Sequence, residues 1–256
     1  MAETLLIEQT GRTRVITVNR PDVRNAVDRS TAEALRSAFI EFDGDEAADV
    51  AILTGAEGNF CAGADLKALS SGDRRPVHLH GPGPMGPTRD VLSKPVIAAV
   101  EGYAVAGGLE LALWSDLRVA AEDSIFGVFC RRFGVPLVDL GTVRLPRLIG
   151  HSRAMDLIVT GRAVGGKEAF EIGLANRITP AGQALEHSIR LADEISRFPQ
   201  VCMRNDRLSA IEQWGMSEET AARNEAERGR SVIFSEETAT IARTLADGFW
   251  RNEDPR

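Results

Sequence analysis

Two hydrophobic periods alternate along the first part of the chain. Leu5–Gln9 and Arg14–Val18 are short β-type runs around Thr10-Gly11-Arg12-Thr13, the signal of a hairpin. Leu35, Ala38, Phe39 and Phe42 then recur at three- and four-residue steps, which predicts a helix with one buried face. Ser30 and Glu33 ahead of them have capping-box spacing, in which both side chains satisfy free N–H groups at a helix start. Val50–Thr54 and Val96–Val100 are unbroken apolar runs of strand length. Between and after them, Gly63 to Ala68 reads as a loop entering a short helix and Gly107 to Trp114 as a helix. Leu117–Ala120 and Ile125–Gly127 read as short strands. Strands alternating with helices predict a layered α/β core.

From about Gly150 the pattern is helical: His151–Thr160, Lys167–Ile172, Leu185–Ile195, Val201–Trp214, Glu218–Ser231 and Glu236–Phe249. Ile241, Leu245 and Phe249 fall four apart on one face of the last. The expected organisation is an α/β core over 1–195 and a helical part over 196–256. Ser70 to Thr88, rich in Gly, Pro and polar residues, fits neither period. A long irregular segment of this kind is usually functional or disordered, and a mobile flap is expected.

An apolar content of 43% in 256 residues suffices for a sizeable core. The formal net charge of −7 argues against a nucleic-acid partner, which calls for a basic face. Cys61, Cys130 and Cys202 form no CxxC pair and are read as reduced thiols of a cytoplasmic protein. No apolar run approaches the roughly 20 residues of a membrane helix, and Met1 to Gln9 shows no secretory pattern. No membrane partner is expected.

Gly81-Pro82-Gly83-Pro84-Met85-Gly86 matches GxGxxG in letters. The dinucleotide reading fails, because that fingerprint needs a preceding strand, a following helix and free N–H groups, and two prolines remove donors here. His78 and His80 lack a third ligand nearby, so no metal site is expected. Asn59 to Lys67 places small residues between a buried strand and a helix. Val96 to Leu113 runs from a buried strand through a small-residue turn into a helix. Free N–H groups of a first helical turn favour negative charge. Glu110, three residues beyond Gly107, can face the same spot as a base or acid, or simply cap the helix start.

Together the two stretches are more specific. Phe60-x-Ala-Gly-Ala-Asp-Leu66, followed by Gly102-Tyr-Ala-x-x-Gly-Gly-x-Glu-Leu-Ala112, resembles the enoyl-CoA hydratase/isomerase (crotonase) superfamily. The likeness extends from Asn19-Arg20-Pro21 and Asn25-Ala26 through Leu174-Ala175-Asn176-Arg177-Ile178 to the final helix. It implies a spiral of strand–strand–helix units with a C-terminal helical trimerisation part, an acyl-CoA thioester as substrate, and a homotrimer or dimer of trimers. No cofactor is implied beyond the coenzyme A of the substrate. By the same resemblance the N–H groups of Ala64 and Gly107 form an oxyanion hole for an enolate. Glu110 is a catalytic carboxylate, Ala62, Asp65 and Leu66 border the adenine, and Arg24 and Ala26 lie near the CoA phosphates and pantetheine.

The pattern breaks where hydratases of the family carry a second glutamate. Phe126-Gly127-Val128-Phe129-Cys130 puts Cys130 in its place. Asp139, in the downstream loop, is the candidate replacement acid, with a turn or helix-cap role as the plain alternative. The expected activity is addition or removal of water at the 2,3 double bond. Double-bond isomerisation and non-catalytic acyl-CoA binding are the alternatives that the missing acid raises. Arg74 and Arg75 lie in the flap, which would border the acyl end of the pocket.

Overall fold

A computed structural model describes residues 3–72 and 77–246. The chain divides into two compact units, the first spanning Met1–Ser196 and the second starting at Arg197.

The first unit is built on a six-stranded sheet. Strands β1 (Leu5–Thr10) and β2 (Thr13–Val18) form the antiparallel hairpin at its edge. β3 (Val50–Gly55), β4 (Val96–Val100), β6 (Leu117–Ala121) and β9 (Arg177–Thr179) follow in parallel, in the order β1-β2-β3-β4-β6-β9. A smaller sheet joins β5 (Tyr103–Val105), β7 (Ile125–Gly127) and β8 (Ala163–Gly165). β3 and β4 are buried along almost their whole length, as parallel strands covered on both faces must be.

One cover is helix α1 (Arg29–Gly44) together with α3 (Gly107–Trp114). Leu35, Phe39 and Phe42 of the first and Leu109 and Leu113 of the second share a core with Leu53, Ala98 and Val100. Phe39 meets Trp114 edge to face at 4.8 Å. The other cover is α7 (Ala184–Ser196), whose Ala184 and Ala192 pack with Val50, Ile52, Ile97 and Val119. Alternate residues of one strand thus serve two cores, because successive side chains leave opposite faces. Two short helices complete the part that concerns the site, α2 (Leu66–Ser70) and α4 (Gly141–Ile149), and α5 (His151–Thr160) and α6 (Gly166–Glu171) follow α4 in the chain.

The sequence expectations need three corrections here. The cap of α1 is Asp28, whose side chain accepts from the Thr31 N–H at 2.8 Å. Ser30 lies inside the helix and Glu33 pairs with Arg29 at 2.9 Å, so the capping-box spacing is coincidental. Helix α4 was not expected, since Pro146 inside it ordinarily breaks a helix interior. The segment ahead of Thr88 is not structureless throughout. Gly86 N–H donates to Gly83 C=O at 2.9 Å, a 3-10 turn spans Pro87–Arg89, and Met85 and Thr88 are buried. Arg74 and Arg75 lie outside the described residues.

The second unit holds α8 (Gln200–Glu212), α9 (Glu218–Ile233) and α10 (Glu236–Ala246). Glu212 of α8 binds both Arg228 and Asn224 of α9, the latter at 2.9 Å. Phe249, expected on the last helix, lies outside the described residues. No helix is long and apolar enough to cross a membrane among the described residues.

Candidate active site

Two turns from separate parts of the chain meet at one cavity. After β3, the stretch from Phe60 to Ala64 runs as a strap that turns at Gly63, where φ is 95°. Cys61 N–H donates to Tyr103 C=O at 2.8 Å, and Val105 N–H returns a bond to Cys61 C=O at 3.1 Å. On the strap's other side, Gly63 C=O accepts from Val27 N–H at 2.8 Å and Asp65 N–H donates to Val27 C=O at 2.9 Å. In this parallel bridge the residues on either side of Ala64 make both bonds to Val27, so the Ala64 N–H between them points away from Val27.

The second turn enters α3. Ala106 holds φ 54°, ψ −124°, a conformation that costs a non-glycine residue of order 1–3 kcal/mol. It is fixed from both directions: its N–H donates to Gly127 C=O at 2.9 Å and its C=O accepts from Glu110 N–H at 3.2 Å. Gly107 is therefore the first residue of α3, where an N–H has no intrahelical acceptor. A Cβ built on Gly63 would stand 2.9 Å from Gly107 N, which shows how closely the two turns approach and why the contact residue is glycine. Among the described residues, neither the Ala64 nor the Gly107 N–H donates a hydrogen bond.

The cavity between them has a volume of about 450 Å³. Ala64, Gly107, Glu110, Cys130 and Asp139 all line it, and the rest of the wall is largely apolar, including Val77, Met85, Phe129, Phe133, Val135 and Val138. Glu110 is buried one turn into α3. Its Oε1 accepts from the Asp139 and Gly141 N–H groups, both at 2.8 Å. Burial, then the nearby Asp139 charge, pushes this carboxyl up to about 7 against the pull of those N–H donors. Asp139 is also buried. Its Oδ1 accepts from Met85 N–H at 2.9 Å and from the Thr88 hydroxyl. It makes no cap for α4, whose N-cap is Leu140 without a side-chain bond. Arg144 reaches its backbone carbonyl at 3.2 Å and Thr88 C=O at 2.7 Å. Burial and the charge of Glu110 hold the Cys130 thiol above its ordinary value, so this residue is a protonated packing group at neutral pH.

The expected site residues divide accordingly. Arg24, Ala62 and Leu66 join the cavity wall, and the Arg24 guanidinium lies 5.2 Å over the Tyr103 ring. Ala26 and Asp65 do not line it. Ala26 is buried with its C=O accepting from Arg20, and Asp65 caps α2 through Lys67 N–H at 3.0 Å while pairing with Arg20 at 3.0 Å. Thr88, Gly141 and Arg144 were missed. Their role depends on contacts across 31 to 56 residues of sequence, and no periodicity carries that information. Among the described residues no group of three or more His, Cys, Asp or Glu side chains is arranged to hold a metal.

The strap, the α3 turn and the buried carboxyl are parts of a known plan. Residues 8–238 match the enoyl-CoA hydratase/isomerase family; the chain belongs to that family and has the crotonase fold. It is similar to enoyl-CoA hydratase EchA19 of Mycobacterium tuberculosis, 36% identical with 94% of this chain and 93% of the relative covered. It is also similar to a carnitinyl-CoA dehydratase of Salmonella typhi, 37% identical over 76% of this chain and 75% of that one. A crystal structure of an enoyl-CoA hydratase from Mycobacterium tuberculosis H37Rv superposes with a TM-score of 0.90 at 38% identity, covering 95% of this chain and 96% of that one. The chain is an acyl-CoA-processing enzyme of the hydratase/isomerase type.

Proposed function

We propose that this enzyme adds water reversibly across the 2,3 double bond of an enoyl-CoA thioester, with Glu110 and Asp139 as its acid and base. One observation carries the reading: two buried carboxyl groups share a cavity with two unengaged N–H groups, and one of the carboxyls titrates near neutrality. Paired carboxyls with different environments divide the work, one holding a proton and the other lacking it.

In the proposed cycle the thioester oxygen sits between the Ala64 and Gly107 N–H groups. The anionic Asp139 takes a proton from water as the water oxygen bonds to C3. The π electrons move through C2 to the carbonyl and form the enolate, which the two N–H groups stabilise where charge develops. One such donor is typically worth about 3 kcal/mol. Protonated Glu110 then gives its proton to C2, and the proton held by Asp139 returns to Glu110. The reverse sequence expels water. No oxidant, reductant or cofactor enters apart from the coenzyme A of the substrate.

Arg24, exposed beside Ala62 and Leu66, suits the phosphates of CoA, and the apolar wall beyond Glu110 suits a hydrocarbon acyl group. The relatives named hydratase and dehydratase favour water chemistry over isomerisation. The three free cysteines fit a cytoplasmic setting, and a homotrimer or dimer of trimers is the proposed assembly.

The test is turnover on a panel of 2-enoyl-CoA and 3-enoyl-CoA thioesters. Water addition to the 2-enoyl series is expected. Glu110→Gln and Asp139→Asn should each lower kcat by a hundredfold or more, the scale of one general acid or base, with substrate binding retained. Conversion of 3-enoyl to 2-enoyl substrates without hydration would replace this reading by isomerisation. An Asp139→Asn variant with wild-type kcat would remove Asp139 from the mechanism.

A further inference from the structure

The glycine- and proline-rich segment before Thr88 fails as a nucleotide loop, yet its far end is fixed against the site. Gly83 to Gly86 form a tight turn closed by a 2.9 Å bond. The next residues, Pro87–Arg89, form a 3-10 turn whose Thr88 is fully buried. Met85 N–H and the Thr88 hydroxyl converge on a single oxygen, Oδ1 of Asp139. A Cβ on Gly83 would overlap both the Thr88 hydroxyl and that oxygen, so the turn must carry glycine there for the two donors to reach their acceptor. Arg144 closes the loop, bridging Thr88 C=O and Asp139 C=O. The Asp139 N–H in turn donates to Glu110. Backbone, hydroxyl and carboxylate therefore form one chain of bonds from the turn to Glu110.

We propose that Thr88, together with the Met85 N–H, is a positioning residue that keeps the Asp139 carboxylate anionic and oriented beside Glu110. The inference rests on the proposed acid–base pair. A carboxylate oxygen with two donors is stabilised in its charged form. That charge is the second cause, after burial, of the high Glu110 value.

The other charged and titratable groups on the neighbouring elements are accounted for. Arg89 is bound to His78 C=O and Val138 C=O, and Asp90 pairs with Arg36. Arg131 holds Ile158 C=O, and Arg132 lies over Phe129. Cys130 is held protonated, and Arg147 acts on Arg144. Arg144 is the cation that both Glu110 and Asp139 feel, and it is unchanged by substitution at Thr88.

Thr88→Val removes the hydroxyl and keeps the shape. Loss of one hydrogen bond to a charged group should raise the lower apparent pKa of the Glu110–Asp139 pair by about one pH unit, while the upper one, at which Asp139 is already ionised, should stay in place. The pH profile of kcat/KM should therefore narrow from its acid side, with the alkaline limb unmoved. Thr88→Ser, which restores a hydroxyl, should return the profile toward wild type. If Thr88→Val does not fold, Thr88→Cys, a weaker donor, should give a shift of the same sign and smaller size. The readout independent of turnover is an NMR titration of the 13C-labelled Asp and Glu carboxyls in wild type and variant. A shifted titration in a protein that hydrates no enoyl-CoA would uphold the positioning role and discard the hydration reading. A wild-type titration in Thr88→Val, with only a lower melting temperature, would overturn the inference and leave Thr88 as a packing residue.

Discussion

Glu110 is held in a state that suits proton transfer and opposes folding. Its carboxyl is raised from 4.5 in the unfolded chain to about 7 in the fold, burial being the larger cause and the Asp139 charge the second. A raised pKa means that the folded state binds the proton more tightly. The stability associated with that proton is fully present below pH 4.5 and is lost as the pH rises through 7. The difference corresponds to roughly 3 kcal/mol. Glutamine keeps the shape and the acceptor for the Asp139 and Gly141 N–H groups without a charge to desolvate. Glu110→Gln is therefore expected to be more stable than wild type at pH 8, by up to about that amount, and nearly equal to it at pH 4.5. Urea unfolding at the two pH values measures this; a gap that does not grow with pH would show that burial does not govern the group. Gly141 sets the same carboxyl by space. A Cβ there would fall 2.8 Å from Oε1 and 2.9 Å from Cγ of Glu110, closer than real side chains come, so a side chain at Gly141 would push the carboxyl off its two N–H donors.

At the scale of elements, helix α3 delivers Gly107 and Glu110 and is anchored at both ends. Its start is tied to β7 through Ala106. Its end is held by Arg118, a fully buried side chain that donates to Ser115 C=O at 2.7 Å, Ala112 C=O at 3.3 Å and Leu174 C=O at 2.6 Å. Desolvation lowers this guanidinium to about 10, which still leaves it charged at neutral pH. Arg118→Met would fill part of the volume and strand several buried carbonyls, each costing about 1–3 kcal/mol. We expect thermal unfolding to show a loss of at least about 3 kcal/mol, with the pH profile of the remaining folded enzyme unchanged; a smaller loss would mean that water or a rearranged loop replaces the guanidinium. The strands β2, β3 and β4 and helices α1, α3 and α7 were legible because each carries an uninterrupted run or a sustained period. The strap and the α3 turn were legible through small residues at close approaches. Arg118 and Thr88 were not. A buried polar side chain looks like a surface one until the carbonyls or carboxylate it serves are known, and those partners lie up to 56 residues away. Helix α4 was hidden by Pro146, and the anchoring of Met85 by the flexible composition around it.

At the scale of the whole molecule, the second unit cannot account for its own stability. In α8 and α9 together only Ser209 and Val232 are buried. Phe198, Val201, Trp214, Ile233 and Phe234 are all exposed large apolar residues, Phe234 at 81%. A helical segment of some 50 residues with so small a core does not hold together alone, and large apolar side chains left outside mark an interaction surface. The ion pair of Glu212 with Arg228 does not compensate, since a half-exposed pair is worth at most about 1 kcal/mol. The missing cover is proposed to come from further copies of the chain, closed as a trimer, with cyclic symmetry keeping the assembly finite. Light scattering at micromolar concentration should then return three or six chain masses. Phe234→Asp, which sets a charge in the most exposed of these positions, should shift the mass toward the single chain and lower the melting temperature. The effect should be concentration-dependent, because subunit association contributes to stability by mass action. A wild-type mass of one chain would refute the assembly. A trimer unaffected by Phe234→Asp would move the interface away from the end of α9 without disturbing the chemistry assigned to Glu110 and Asp139, whose cavity is lined, among the described residues, by the first unit.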